Sequence, residues 1–131
     1  MGEELDELLS KITPENRHEE IDYALTLNEY QRISTRSANP HKHELINYGL
    51  GIAGEAGEVA DLIKKSMFHG HNVDKDEIKK ELGDVMWYLS QIARLAGLTL
   101  EEIAEANIEK LKKRYPDGFS TEASINRKAG E

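Results

Sequence analysis

Glu77-Ile78-Lys79-Lys80-Glu81-Leu82-Gly83-Asp84-Val85-Met86-Trp87-Tyr88-Leu89-Ser90-Gln91-Ile92 is the stretch whose reading decides the fold. Ile78, Leu82, Val85, Met86, Leu89, Ile92 and, just beyond, Leu95 recur every three or four positions, the period of an amphipathic helix rather than a strand. Asp74 offers an N-cap ahead of it, and Gly97 a terminator behind it. Working outward, the chain from about His43 to Phe68 reads as a second long helix, with Leu45, Tyr48, Ile52, Val59, Leu62 and Ile63 as apolar members and Gly70 past its end. Thr26-Leu27-Asn28-Glu29 and Thr99-Leu100-Glu101-Glu102 both have the spacing of a capping box. The first predicts a helix to about Ser37, and the second a helix that ends near Tyr115 because Pro116 follows. Glu3 to Ile12 carries a short amphipathic pattern through Leu5, Leu8, Leu9 and Ile12. Pro14, Pro40 and Pro116 each stand outside a helical pattern, and nothing alternates with the period of a strand. The expected architecture is all-α, a helical bundle of four to five helices. Residues 1–25 read as an N-terminal extension with a short helix, 26–116 as the folded domain, and 117–131 as a mobile C-terminal tail.

Composition removes several classes of function. The 131 residues contain no cysteine, which excludes disulfides, thiolate metal sites and a cysteine nucleophile, and which suits a cytoplasmic protein. Met1-Gly2-Glu3-Glu4-Leu5-Asp6 is acidic where a secretory signal needs positive charge, and no apolar run approaches the roughly 20 residues of a membrane span, so no membrane is expected. With 17 basic against 25 acidic residues the net charge is −8, which opposes a grip on a long nucleic acid. A small anion remains open, because a bound cation reverses the local field.

Two acidic pairs carry the chemistry: Glu55-Ala56-Gly57-Glu58 on one long helix and Glu81-Leu82-Gly83-Asp84 on the next. Each is spaced i, i+3, so each shares a helix face. The 22 residues between Glu58 and Glu81 include a turn near Gly70, which lets the helices run antiparallel with the pairs at similar height. With Glu81 at 0° on the wheel, Asp84 falls at about 300° and Tyr88 at about 340°, while Ile78, Val85, Leu89 and Ile92 lie at about 20° to 80°. Carboxylates gathered at the edge of a core repel one another and lose hydration, so they call for protons or a cation. Oxygen donors without Cys or an in-register His point to magnesium, with manganese as a substitute. Gly49, Gly51, Gly54 and Gly57 all fall inside one predicted helix, at a cost of about 1 kcal/mol each against Ala. Gly51 and Gly54 flank the acids, where a missing side chain admits a neighbouring helix or a ligand. The plain alternative is a solvated acidic face on an interaction module, since 32% of the chain is charged. A ferritin-like di-iron bundle needs two Glu-x-x-His motifs, and only Glu15-Asn16-Arg17-His18 matches.

The segment Gly49-Leu50-Gly51-Ile52-Ala53-Gly54-Glu55-Ala56-Gly57-Glu58-Val59-Ala60-Asp61, followed by Lys80-Glu81-Leu82-Gly83-Asp84-Val85-Met86-Trp87-Tyr88-Leu89, resembles the E-x-x-E, spacer, E-x-x-D signature of MazG-type nucleotide pyrophosphohydrolases. Asn28-Glu29-Tyr30-Gln31 upstream and Asn107-Ile108-Glu109-Lys110-Leu111 with Arg114-Tyr115 downstream extend the resemblance to about residues 26–118. It implies hydrolysis of a (deoxy)nucleoside triphosphate to its monophosphate and pyrophosphate, with magnesium on Glu55, Glu58, Glu81 and Asp84. A deoxyuridine nucleotide or phosphoribosyl-ATP enzyme belongs to the same superfamily. Glu55 is the candidate for the proton from the attacking water. Lys110 and Arg114, with Asn107 one turn earlier, are the candidates for the phosphates; Tyr88 and Gln31 are candidates for phosphate, sugar or base. Lys64, Lys65 and the five histidines read as solvated. Trp87 falls at about 240° on the same wheel, away from the apolar stripe, which gives that helix two sides to cover and predicts a homo-oligomer. The resemblance likewise implies a homodimer or homotetramer.

Overall fold

The computed structural model describes residues 25–72 and 74–127. The amphipathic pattern of residues 3–12, His18 and the last four residues lie outside the described part. Among the described residues five α-helices follow one another: α1 Leu27–Ser34, α2 Glu44–Phe68, α3 Lys75–Leu95, α4 Leu100–Arg114 and α5 Thr121–Ile125, with a 3₁₀ turn Thr35–Ser37 extending α1. Among the described residues there is no strand, only a bridge between Pro116 and Gly118. The protein is all-α.

Each start signal works through the atoms that its residue type supplies. Thr26 Oγ1 accepts from Glu29 N at 3.1 Å, and Glu29 Oε2 accepts from Thr26 N at 2.8 Å. Thr99 and Glu102 repeat the box at 3.1 and 2.7 Å. Asp74 Oδ1 accepts from the amides of Asp76 and Glu77. Gly70 and Gly97 stop α2 and α3 with φ of 71° and 73°, a conformation costly for any residue with a Cβ. The two boxes hold the Glu29 and Glu102 carboxyls below their ordinary range, first through the backbone amide of the cap and then through its hydroxyl. A depressed acid contributes stability above its unfolded pKa and loses it as pH falls through the folded value. Thr99→Ala is therefore expected to cost about 1 kcal/mol at neutral pH. In thermal melts the gap between variant and parent should narrow as pH drops below the ordinary glutamate range.

The α2–α3 antiparallel hairpin is the main packing unit, and α1 lies across it, touching α3 and α4. The most deeply buried point of the described chain is polar: Ser90 and Gln91 are fully enclosed, beside Tyr48, Ala93 and Leu100. Gln91 Oε1 accepts from Arg94 Nε at 2.9 Å, and Gln91 Nε2 donates to Thr35 Oγ1 at 3.3 Å. Ser34 and Ser90 hydroxyls meet at 3.2 Å. The buried Glu44 carboxylate receives the Arg94 guanidinium and the Tyr48 hydroxyl, the latter at 3.0 Å. Each bond adds about 1 kcal/mol net, but an unpaired buried member would cost more, so the network fixes which turn of α3 faces α1.

Trp87 is covered from within the chain. Its Nε1 donates to Ser34 O at 3.0 Å and to Ser37 Oγ at 2.9 Å, and its ring meets Tyr48 and Tyr88 edge-on at 5.2 and 5.1 Å. The second buried side that the helical wheel attributed to assembly is thus closed by α1 and its 3₁₀ turn, and Trp87 gives no reason for a partner. What stays open is part of the stripe expected to form the core: Leu82, Met86 and Leu89 on α3, like Ile108 and Leu111 on α4, are 39 to 51% exposed. A groove of about 370 Å³ separates the two helices there.

Residues 117–127, where a mobile tail is expected to begin, carry local structure. Gly118, with φ of 89°, bends the chain so that Phe119 stacks on Tyr115 at 5.5 Å, and Ser120 Oγ caps α5 through Ala123 N. Ser120 is an ordinary N-cap that the sparse apolar content around it concealed.

Candidate metal centre

Antiparallel packing of α2 on α3 sets the E-x-x-E stretch opposite the E-x-x-D stretch. One carboxylate oxygen from each of Glu55, Glu81 and Asp84 lies within 4.8 Å of the others, and all three residues are half-buried. Glu58 stands outside this trio and is exposed. As an i, i+3 neighbour its Cβ lies about 5–6 Å from that of Glu55. The structure therefore brings three of the four expected ligands together and leaves the fourth at the rim. Burial pushes the Glu55 carboxyl above its usual range; the charges of Asp84, Glu81 and Glu58 add to the effect, and Lys80 opposes it. An all-oxygen donor set with converging negative charge fits a hard divalent cation, magnesium or manganese, and suits softer thiolate- or imidazole-seeking metals poorly.

Of the two glycines expected to flank the acids, Gly51 admits a neighbouring helix's side chain and Gly54 leaves open space. A Cβ on Gly51 would sit 2.3 Å from a Tyr88 ring carbon, so this glycine is the notch that receives the ring. Gly49, Gly54 and Gly57 face open space. Tyr88 cannot slide aside cheaply, since it packs on Trp87 and lies 6.0 Å from the Tyr48 ring. Gly51→Ala should destabilise by about 1–3 kcal/mol, the usual range for overpacking, despite alanine's better helix propensity. Urea unfolding would measure it, and a neutral or stabilising result would contradict the notch.

The other expected site residues are scattered. Gln31 is committed to the backbone: Nε2 donates to Leu98 O at 2.9 Å and to Ser90 O at 3.5 Å, and Oε1 accepts from Leu100 N at 3.0 Å. Its amide ties α1 to the α3–α4 turn, which leaves it ill suited to read a base. Tyr88 is likewise engaged through its ring in the hairpin. Asn107 is exposed and lines the α3–α4 groove, and Lys110 is exposed one turn further along α4. Arg114 is half-buried, with its guanidinium 5.9 Å from the Tyr115 ring and its Nε enclosed without a hydrogen-bond partner. The charges acting on Glu55 are those of Asp84, Glu81, Glu58 and Lys80, with neither Lys110 nor Arg114 among them.

Tyr30 belongs to the same upstream block as Gln31. It is half-buried on α1, and burial followed by the charge of Asp84 pushes its phenol upward, against a hydrogen bond from Ser34. Of the acidic trio, Asp84 is the member whose charge reaches it. The signal was its place in the Asn28-Glu29-Tyr30-Gln31 block, but nothing in that block specified which helix α1 would cross.

A family model described as the MazG nucleotide pyrophosphohydrolase domain matches residues 43–119, a span that holds α2, α3 and α4 with all four acidic residues. The gene 37 protein of Mycobacterium phage L5 is 35% identical over 82 residues, covering 60% of this chain and 72% of that protein. No solved structure matches. With more than half of its length inside the family model and the carboxylate trio in place, the chain belongs to the MazG nucleotide pyrophosphohydrolase family.

Proposed function

We propose that the protein hydrolyses the α–β phosphoanhydride of a (deoxy)nucleoside triphosphate, giving the monophosphate and pyrophosphate, with magnesium as cofactor and manganese as a substitute. The observation that carries this reading is the convergence of Glu55, Glu81 and Asp84 at the edge of the hairpin. Those three residues, joined by Glu58 from the rim, would hold the metal, which when bound neutralises phosphate charge and acidifies a water. Glu55 lies innermost in the electrostatic sense, since all three other acids act on it, and it is the proposed acceptor of the proton from the attacking water. Lys110 and Arg114, with Asn107, are the proposed phosphate contacts, and Tyr88, seated in the Gly51 notch, orders the hairpin. A panel of nucleoside triphosphates with magnesium, scored for pyrophosphate release and for a rise in melting temperature, tests the reading. Absence of both responses for every nucleotide would leave the acids as a solvated surface.

The assembly we propose is a homodimer or homotetramer in the cytoplasm. It is supported by Met86, Leu89 and Ile108, exposed apolar side chains that line one open groove, with Leu82 and Leu111 also exposed on the same two helices. Closing this groove against a second copy would also steady α4, and with it Lys110 and Arg114. Light scattering at micromolar concentration is expected to give a multiple of the 14.8 kDa chain mass. Leu89→Glu should drive the mass down to that of one chain. A parent that is already monomeric would contradict the assembly. No helix of the described chain is long and apolar enough to cross a membrane.

A further inference from the structure

Where α2 ends and α3 begins, the hairpin encloses a cleft of about 390 Å³ that none of the proposed catalytic groups uses. Leu62 and Ile78 face it from the two helices, while Lys65, Ser66, Asn72 and Glu77 bring polar groups to its wall. The volume and the mixture of an apolar wall with a few polar groups are those of a small-molecule site.

Its position relative to the carboxylates gives it direction. Leu62 and Lys65 follow Glu58 by four and seven residues, and Ile78 and Glu77 precede Glu81 by three and four. At about 5.4 Å per turn, the cleft opens one to two turns from the acidic trio along the same helices. Lys65 lines the cleft itself, about one turn beyond Leu62 from the acids. Its ammonium is held by Asp61 at 2.5 Å, and Asp61 also holds Lys64 at 3.0 Å. The carboxylates of Glu58 and Glu77 act on the Lys65 charge from either side. Lys65 is thus paired with Asp61 at the cleft wall while its side chain stays 44% exposed, as its sequence context suggested. Asp74 and Glu77 make the cleft itself unwelcoming to phosphate, so a polyphosphate ester entering this face would keep its anionic end at the metal-binding acids.

We infer that this cleft seats the nucleoside end of the substrate, with the sugar and base between Leu62 and Ile78, Asn72 and Glu77 at the base edge, and the phosphates leading back along the hairpin to the acidic trio. The inference rests on the proposed nucleotide chemistry of that trio and names where the uncharged part of the same substrate lies. An amide supplies both donors and acceptors, and an ionised carboxylate supplies acceptors only, so Asn72 and Glu77 present a specific hydrogen-bonding edge.

The test uses binding, so that it does not depend on turnover. Calorimetry with magnesium compares α,β-methylene nucleoside triphosphates with inorganic tripolyphosphate, which has no nucleoside. Ser66→Phe fills the cleft, and Asn72→Ala removes a polar group from an exposed loop where folding is not at stake. Both variants are expected to bind the analogues at least tenfold more weakly and to bind tripolyphosphate within twofold of the parent. Parental affinity for every analogue in both variants would overturn the inference, and so would an equal loss for tripolyphosphate, which would place the effect at the phosphate end. A parent that binds the analogues but releases no pyrophosphate from any triphosphate would sink the proposed reaction while leaving the cleft standing.

Discussion

Asp84→Asn is expected to lower magnesium-dependent hydrolysis by more than about a hundredfold while the protein stays folded. Groups that merely orient a metal ligand cost about 10- to 100-fold in metal affinity or activity when removed, and loss of a ligand's own charge costs at least as much. Asp84 is one of three residues whose oxygens approach within 4.8 Å, and its charge also acts on Glu55 and Tyr30. Without metal the substitution relieves repulsion among acids, so the metal-free melting temperature should stay level or rise. Added magnesium should then stabilise the parent much more than the variant. The combination separates a metal ligand from a structural residue, because a structural residue would lower both activity and metal-free stability. Glu58→Gln, at the exposed rim of the trio, is expected to show the same pattern more weakly.

Lys110→Ala is expected to weaken nucleotide binding by roughly ten- to a hundredfold, the effect of losing a charged hydrogen bond worth about 1.5–3 kcal/mol. Calorimetric magnesium binding should be nearly unchanged, since Lys110 lies on α4 and is not among the charges acting on Glu55. Arg114→Lys should also hurt, because an ammonium cannot reproduce a planar guanidinium that stacks on Tyr115 and leaves Nε enclosed without a partner. Nucleotide affinity in Lys110→Ala equal to the parent's would reduce that lysine to a solvated helix end and remove α4 from the phosphate site.

The helices were legible because their signals are local. Thr26, Asp74 and Thr99 cap through atoms within three residues of themselves, and Gly70 and Gly97 stop helices through their own φ. The register of the hairpin followed from the same logic: one turn and two i, i+3 acidic pairs leave few ways to pack, and Glu55, Glu81 and Asp84 met as the spacing implied. What escaped the sequence were side chains whose partners are distant in the chain. Gln31 is clamped by Leu98 and Leu100, some 70 residues away, and its type alone does not distinguish a base-reading amide from a backbone clamp. Trp87 was placed on an uncovered side because no helical wheel contains the crossing of α1 over α3. The buried Glu44–Arg94–Gln91–Thr35 chain spans three elements, and Glu44 in particular reads in sequence as one more solvated acid at a helix start. Apolar periodicity named Leu82, Met86 and Leu89 as core, yet all three are exposed and Met86 and Leu89 line an open groove, because the same stripe serves equally to bind another surface.

The most direct measurement is the identity and isotopic content of the products when the parent protein is incubated with magnesium and a panel of nucleoside triphosphates in ¹⁸O-enriched water. Phosphorus NMR and mass spectrometry should find a monophosphate and pyrophosphate in equal amounts for at least one nucleotide, with the heavy oxygen in the monophosphate, as attack on the α-phosphorus requires. Release of inorganic phosphate and a diphosphate instead, or no product above the uncatalysed rate from any triphosphate, would contradict the account.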